Sequence, residues 1–185
     1  MKPNVVIYKH LSEVSEAMTL LDQEAVERAV HILQIVKRSG GRVWLFGNGG
    51  SHSTAGHFAN DLLKMAHISA VCLGDMSASL LAYGNDNGWA NMYVDPLKEM
   101  CKQGDAVVGI SCSGNSENVI QAMKWAQDNG LLTIGLTGLS NDSLMDTLGP
   151  DAIVHVPVPD IRVQEDVHLM VCHAIVRALQ EDGSE

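Results

Sequence analysis

Five short apolar runs, at 42–46, 70–73, 106–110, 131–136 and 152–156, alternate with segments whose apolar residues recur at helical spacing. A run apolar at successive positions is buried on both faces, which belongs to a parallel strand covered by helices on either side. The intervening helices are expected at 51–65, 77–82, 92–101, 116–127 and 163–179. Ahead of them, residues 5–38 read as two helices, with Tyr8, Leu11, Val14, Met18 and Leu21 on one stripe and Val26, Val30, Leu33 and Val36 on the other. Ser39-Gly40-Gly41 ends the second. The pattern predicts an α/β fold: a three-layer α-β-α sandwich with a five-stranded parallel sheet, flavodoxin-like or Rossmann-like. It is read as one domain over 1–185, with N-terminal helices at 1–40 and the α/β core at 41–185; no linker, repeat or low-complexity stretch divides it.

Charge narrows the partners. The chain has 185 residues, and 22 acidic against 12 basic side chains leave a formal net charge of −10. Such a surface repels nucleic acid, and no Lys/Arg cluster offsets it. An anionic ligand would therefore have to be met locally, by backbone N–H groups, hydroxyls and helix ends. No apolar run approaches the roughly 18 residues a membrane helix needs, and the N-terminus lacks the pattern of a secretory signal. Cys72, Cys101, Cys112 and Cys172 show no C-x-x-C spacing and read as free thiols. A cytoplasmic setting is expected.

In an open parallel sheet, ligands bind beyond the carboxyl ends of the strands. Two turns stand there. Gly47-Asn48-Gly49-Gly50-Ser51-His52-Ser53 leaves the first strand and opens a helix. Glycine permits positive φ and close backbone approach, and a helix start offers free N–H groups and a positive dipole end. A strand-to-helix turn needs glycine even without a ligand. Ser111-Cys112-Ser113-Gly114-Asn115-Ser116-Glu117 follows the third strand in the same way. Ser116 could be no more than a helix cap, but capping needs one hydroxyl and this turn carries three. Two such turns together point to an oxyanion, and so to a phosphorylated ligand. Neither is G-x-G-x-x-G or a P-loop, and no clear ribose-binding acid follows the second strand, which argues against a nucleotide site.

These turns resemble the signature turns of the sugar isomerase (SIS) domain family, and within it the phosphoheptose isomerase group. The resemblance extends through His57-Phe58-Ala59-Asn60-Asp61-Leu62, Gly84-Asn85-Asp86, Leu136-Thr137-Gly138 and Glu165-Asp166-Val167-His168. It implies a homotetramer with active sites between subunits, a phosphosugar substrate, and interconversion of sedoheptulose 7-phosphate with a manno-heptose 7-phosphate. The phosphate would be held by Asn48, Gly49, Gly50, Ser51, Ser111, Cys112, Ser113 and Ser116. Cys112 stands where the group commonly has Thr; its backbone N–H remains.

Moving a proton between adjacent carbons through an enediol takes one group at carbon and another between the oxygens. His57 and Asp61 are i, i+4 and share a helix face. Glu165 and His173, eight residues apart, lie roughly on one side of the last helix, with His168 turned away. The resemblance implies that His57, Asp61, Glu165 and His173 form a divalent-metal site, zinc in several family members, and that Asp61 and His173 are the acid/base pair. Two imidazoles and two carboxylates suit zinc. Two departures stand out: many members carry Glu at position 61 and Gln at position 165, and Gln164 is a neighbour that could fill the second role. Glu165 is also expected to reach the substrate, and Asn85 and Asp86, in a loop between Gly84 and Gly88, its hydroxyls. Two rivals remain: another phosphosugar as substrate, and a non-catalytic SIS adapter, which would not need the metal and acid/base residues.

Overall fold

The computed structural model describes residues 2–138 and 142–181. Two helices come first, α1 (Pro3–Thr19) and α2 (Gln23–Ser39). The Asp22 carboxylate accepts from the Glu24 N–H at 3.0 Å and so starts α2. Gly40, at φ +68°, ends it in the left-handed conformation that glycine adopts without a Cβ penalty. The alternation then runs β1 (Arg42–Gly47), α3 (Gly50–Lys64), β2 (Ser69–Cys72), α4 (Ser77–Asn87), α5 (Val94–Met100), β3 (Ala106–Ser111), α6 (Glu117–Asp128), β4 (Leu132–Thr137), α7 (Leu144–Leu148), β5 (Ala152–His155) and α8 (Ile161–Glu181). Short 3₁₀ turns at Leu73–Asp75 and Trp89–Asn91 flank α4.

All five strands are parallel, in the order β2-β1-β3-β4-β5. The sheet is buried on both sides because successive side chains point to opposite faces. Val43, Leu45, Val108 and Ile110 join α2, α3 and α8 in one apolar cluster. Trp44, Phe46 and Val107 join α5, α6 and Met145 of α7 in the other. That is the three-layer arrangement the apolar runs predict.

Three local expectations change. The helix expected at 77–82 continues to Asn87, so Asn85 and Asp86 lie in the last helical turn and not in a loop. Gly88, at φ +86°, takes over the chain reversal that Gly84 was expected to share. The helix expected at 92–101 is shorter, Val94–Met100, with a 3₁₀ turn before it. Helix α7 was not expected; five residues carry too little periodicity to read, and a capping box between Ser143 and Asp146 holds it.

The order of strands fixes where a ligand goes. From β1 the chain passes outward to β2 on one side and then returns to β3 on the other, so the carboxyl ends of β1 and β3 flank a switch point. The two Gly/Ser turns leave the sheet there, side by side.

Candidate functional site

The first turn reaches the start of α3 through Gly49, whose φ of +56° places it in a region that L side chains rarely enter. Gly50 is bare for a different reason: a Cβ there would collide with the Glu165 carboxylate. Across the switch point, Ser111 ends β3 and Ser116 sits before α6. The Ser111 hydroxyl donates to that of Ser116 at 3.1 Å and lies 3.4 Å from that of Ser113. Ser116 has the backbone of a cap, yet its side chain makes no cap bond. Its hydroxyl faces the cavity instead.

That cavity, about 180 Å³, is lined by Asn48, Ser51, Ser111, Cys112, Ser113, Ser116 and Glu165, with Ile110 and Ile161. Three helix starts, those of α3, α6 and α8, four hydroxyls and no basic side chain among these residues make an oxyanion cradle. Burial pushes the Cys112 thiol up, with Glu165 adding to it against the Ser51 hydroxyl 3.9 Å away, so no thiolate opposes an anion there. Glu165 is the exception: a carboxylate inside an anion site.

The two turns are tied by hydrogen bonds that the sequence does not reveal, joining Asn48 of the first turn to Asn118 and Gly47 to Tyr93. Asn48 and Asn118 exchange hydrogen bonds at 2.9 Å in both directions, and Asn118 is wholly buried. The Tyr93 hydroxyl donates to the Gly47 carbonyl at 2.5 Å. An Asn in the first turn of a helix has no local signature of a partner seventy residues away, so only the fold reveals the pair.

Behind the cradle, His168 is buried and its Nε2 lies 2.9 Å from the Thr137 carbonyl. A carbonyl only accepts, so Nε2 carries the proton and Nδ1 is the acceptor, 3.9 Å from the Cys112 thiol. Desolvation lowers the His168 pKa from 6.5 to about 4, against the pull of Thr137. The sign follows: the unfolded chain takes up a proton below about pH 6.5 while the folded one refuses it, so stability falls with acid. Between pH 7 and pH 5 this costs about 2 kcal/mol. Urea unfolding at the two pH values is expected to show that loss, and His168→Gln is expected to remove it.

The second group of side chains lies further along the same helices. The Nε2 atoms of His57 and His173 are 3.0 Å apart, and Asp61 Oδ2 is 3.2 Å from the first and 3.8 Å from the second. Helices α3 and α8 both begin at the cradle and run side by side in the same direction, which brings i, i+4 of one opposite His173 of the other. Asp61 is 12% exposed in its side chain, whereas His57 and His173 are about half exposed, at 48% and 50%. Tetrahedral ligands at about 2.1 Å from a cation are separated by about 3.4 Å, and these three spacings bracket that value. The donor set of two imidazoles and one carboxylate thus fits a divalent cation.

Glu165 does not belong to this group. The ligand atoms of His57, Asp61 and His173 all lie within 4.8 Å of one another, and Glu165 sits at the cradle two helical turns away. The four-residue metal set expected from the resemblance is three residues in the protomer. Gln164, the alternative by register, is buried, and its amide donates to the Val158 carbonyl at 2.6 Å, so Glu165 is the residue that faces the site. Asn85 and Asp86 are exposed, bonded to each other at 2.7 Å, and line neither group.

The SIS domain family pattern matches residues 8–138. A phosphoheptose isomerase of Aliarcobacter butzleri is 32% identical over 179 residues, covering 94% of this chain and 92% of that protein. The chain belongs to the SIS domain family, in its phosphoheptose isomerase group. A second member of that group, from Neisseria meningitidis, is 34% identical over 167 residues and covers 86% of this chain and 84% of its own. Among solved structures, the phosphoheptose isomerase GmhA of Neisseria gonorrhoeae superposes with a TM-score of 0.87 at 29% identity, covering 95% of this chain and 96% of that one. Within this SIS fold, the cradle at the switch point and the His/Asp group are separate features on shared helices.

Proposed function

We propose that the protein is an aldose–ketose isomerase acting on a heptose 7-phosphate, interconverting sedoheptulose 7-phosphate and a manno-heptose 7-phosphate. The observation that carries this reading is the coexistence, on α3 and α8, of an anion cradle and a proton-handling group. From Glu165 to His173 is eight residues, or about 12 Å along the helix. An extended seven-carbon chain measures about 10 Å from phosphorus to C1 at roughly 1.25 Å per bond, which side-chain reach completes. A triose phosphate, about 5 Å on the same count, falls short. The group of relatives carries the name of that activity.

The cradle anchors the phosphate through backbone N–H groups and the hydroxyls of Ser51, Ser111, Ser113 and Ser116. The far end of the sugar then meets Asp61 and His173. Between them they take and return the carbon-bound proton and move a proton between the adjacent oxygens. His57, Asp61 and His173 would hold a divalent cation, zinc by donor chemistry, which supplies polarisation of a carbonyl oxygen. The half-exposed state of both histidines supports a homo-oligomer, a tetramer in this reading, since an enediol survives best away from water. Leu63 and Met170 on the same helices, and Val5, Val6, Ile7, Tyr8 and Leu11 of α1, are exposed apolar side chains for another copy to cover. Four free cysteines fit a reducing, cytoplasmic setting. Among the described residues no helix is long and apolar enough to cross a membrane.

The test is incubation with sedoheptulose 7-phosphate in deuterated water, followed by NMR, with and without a chelator. An aldose phosphate carrying deuterium is the expected product, and its loss with chelator and return with zinc assigns the cation a role. No product and no deuterium uptake, with zinc present, would put the non-catalytic adapter in its place.

A further inference from the structure

A second cluster of ligand-type side chains lies on the other side of the first turn of α3. Cys72 ends β2, Asp75 follows in the 3₁₀ turn, and His52 stands one residue after Ser51 of the cradle. Cys72 Sγ is 3.5 Å from His52 Nδ1, and His52 Nε2 is 3.7 Å from Asp75 Oδ1. One ligand atom from each of the three lies within 4.8 Å of the other two.

A Cβ at Gly74 would overlap the His52 ring, so glycine there lets the imidazole lie against the 3₁₀ turn. At Gly56, one helical turn after His52 on the same face, an added Cβ would meet Asp75 and Cys72 only at ordinary contact distance, so that position does not require glycine. The thiol is buried while the imidazole and the carboxylate are partly open to solvent. Among the described residues the Asp75 side chain accepts no hydrogen bond; its contact is the 3.7 Å approach to His52, longer than a hydrogen bond. A packed polar triad would be joined by hydrogen bonds throughout. The two contacts use opposite ring nitrogens, so a single cation would take His52 Nδ1 on the Cys72 side, and the exposed Asp75 carboxylate, unbonded among the described residues, would swing round to complete the set.

We infer that His52, Cys72 and Asp75 bind one thiophilic divalent cation of the zinc class. A zinc ion bound by sulfur and nitrogen at about 2.3 and 2.05 Å separates those atoms by about 3.6 Å, close to the spacing of Cys72 and His52. A thiolate, an imidazole and a carboxylate select zinc-like ions over magnesium or calcium, which take oxygen ligands. Three protein ligands leave the fourth position facing solvent. The bound ion would clip the start of α3, and with it the cradle's first turn, to the end of β2.

Cobalt(II) titration of the metal-free protein separates this site from the group of His57, Asp61 and His173, which contains no sulfur. A thiolate-to-cobalt charge-transfer band is expected in the near ultraviolet, saturating at one equivalent, both in the native protein and in a His57→Ala/His173→Ala double variant. Cys72→Ser is expected to abolish it. His52→Ala and Asp75→Asn, at positions partly open to solvent, are expected to move half-saturation to at least ~10-fold higher cobalt. These two decide the matter if Cys72→Ser fails to fold. Absence of the band in the native protein, or a band unchanged in amplitude and half-saturation in both His52→Ala and Asp75→Asn, would overturn the assignment.

Discussion

His173→Asn and Asp61→Asn are each expected to lower kcat by about 10²–10⁴-fold, the range lost when a positioned proton-transfer group is removed. Asp61→Asn keeps the size of the side chain, His173→Asn keeps a polar side chain of smaller reach, and both remove the ability to exchange a proton near neutral pH. The phosphate cradle is about 12 Å away along α8, so KM is expected to change little. Asp61 is the more informative of the two. Its carboxylate lies 3.2 Å from His57 and 3.8 Å from His173, so it orients both rings, and in the proposed reaction it would also offer an oxygen to the substrate. Coupling is therefore expected: the double variant should lose little more than the worse single one, because groups that act as a unit are non-additive. Rates within a few-fold of the native enzyme would remove this pair from the chemistry, and metal content measured beside them separates loss of a proton-transfer group from loss of the cation these residues would hold. Asp61→Glu tests whether the reach of this carboxylate is tuned to the spacing of α3 and α8.

The second large effect concerns charge in the cradle. Ser116→Asp is expected to weaken binding of inorganic phosphate by at least about 10²-fold, since a carboxylate some 5 Å from a dianion costs several kcal/mol at the effective dielectric of a protein surface. The position is chosen because Asp is as good as Ser at a helix start. Thermal stability should therefore hold, and the loss can be read as electrostatic. Glu165→Gln makes the complementary case. Removing the carboxylate that already lines the cavity is expected to tighten inorganic phosphate about tenfold. The same variant also reports on the sugar. If phosphosugar binding weakens while inorganic phosphate binding improves, the Glu165 carboxylate holds a sugar hydroxyl, and the charge it brings into the cradle is the cost of that contact. Unchanged phosphate affinity in both variants would mean that the anion sits elsewhere.

Much of this architecture was legible in the sequence because it is local. Apolar runs of four to six residues flanked by helical stripes define parallel strands by burial alone, and the observed strand limits differ from the expected ones by a residue at most ends. The two Gly/Ser turns are equally local, since a strand, a positive-φ glycine and a helix start are contiguous in the chain. The i, i+4 spacing of His57 and Asp61 follows from one helix. Where local rules competed, they misled: Gly84, Asn85 and Asp86 are turn formers by type, yet helix α4 carries through them and stops only at Gly88.

The sequence by itself determined the order and kind of elements, the two turns and the candidate side chains, because each depends on neighbours within a few residues. Only the tertiary structure decided that β1 lies between β2 and β3, which places both turns at one switch point. It also decided that α3 and α8 run in the same direction, which sets His173 against His57 and Asp61 and leaves Glu165 at the cradle. The Asn48–Asn118 pair and the approach of His52 to Cys72 and Asp75 belong to the same class. Each joins residues far apart in the chain through packing of whole elements, and packing is a property of the folded core that no local pattern encodes.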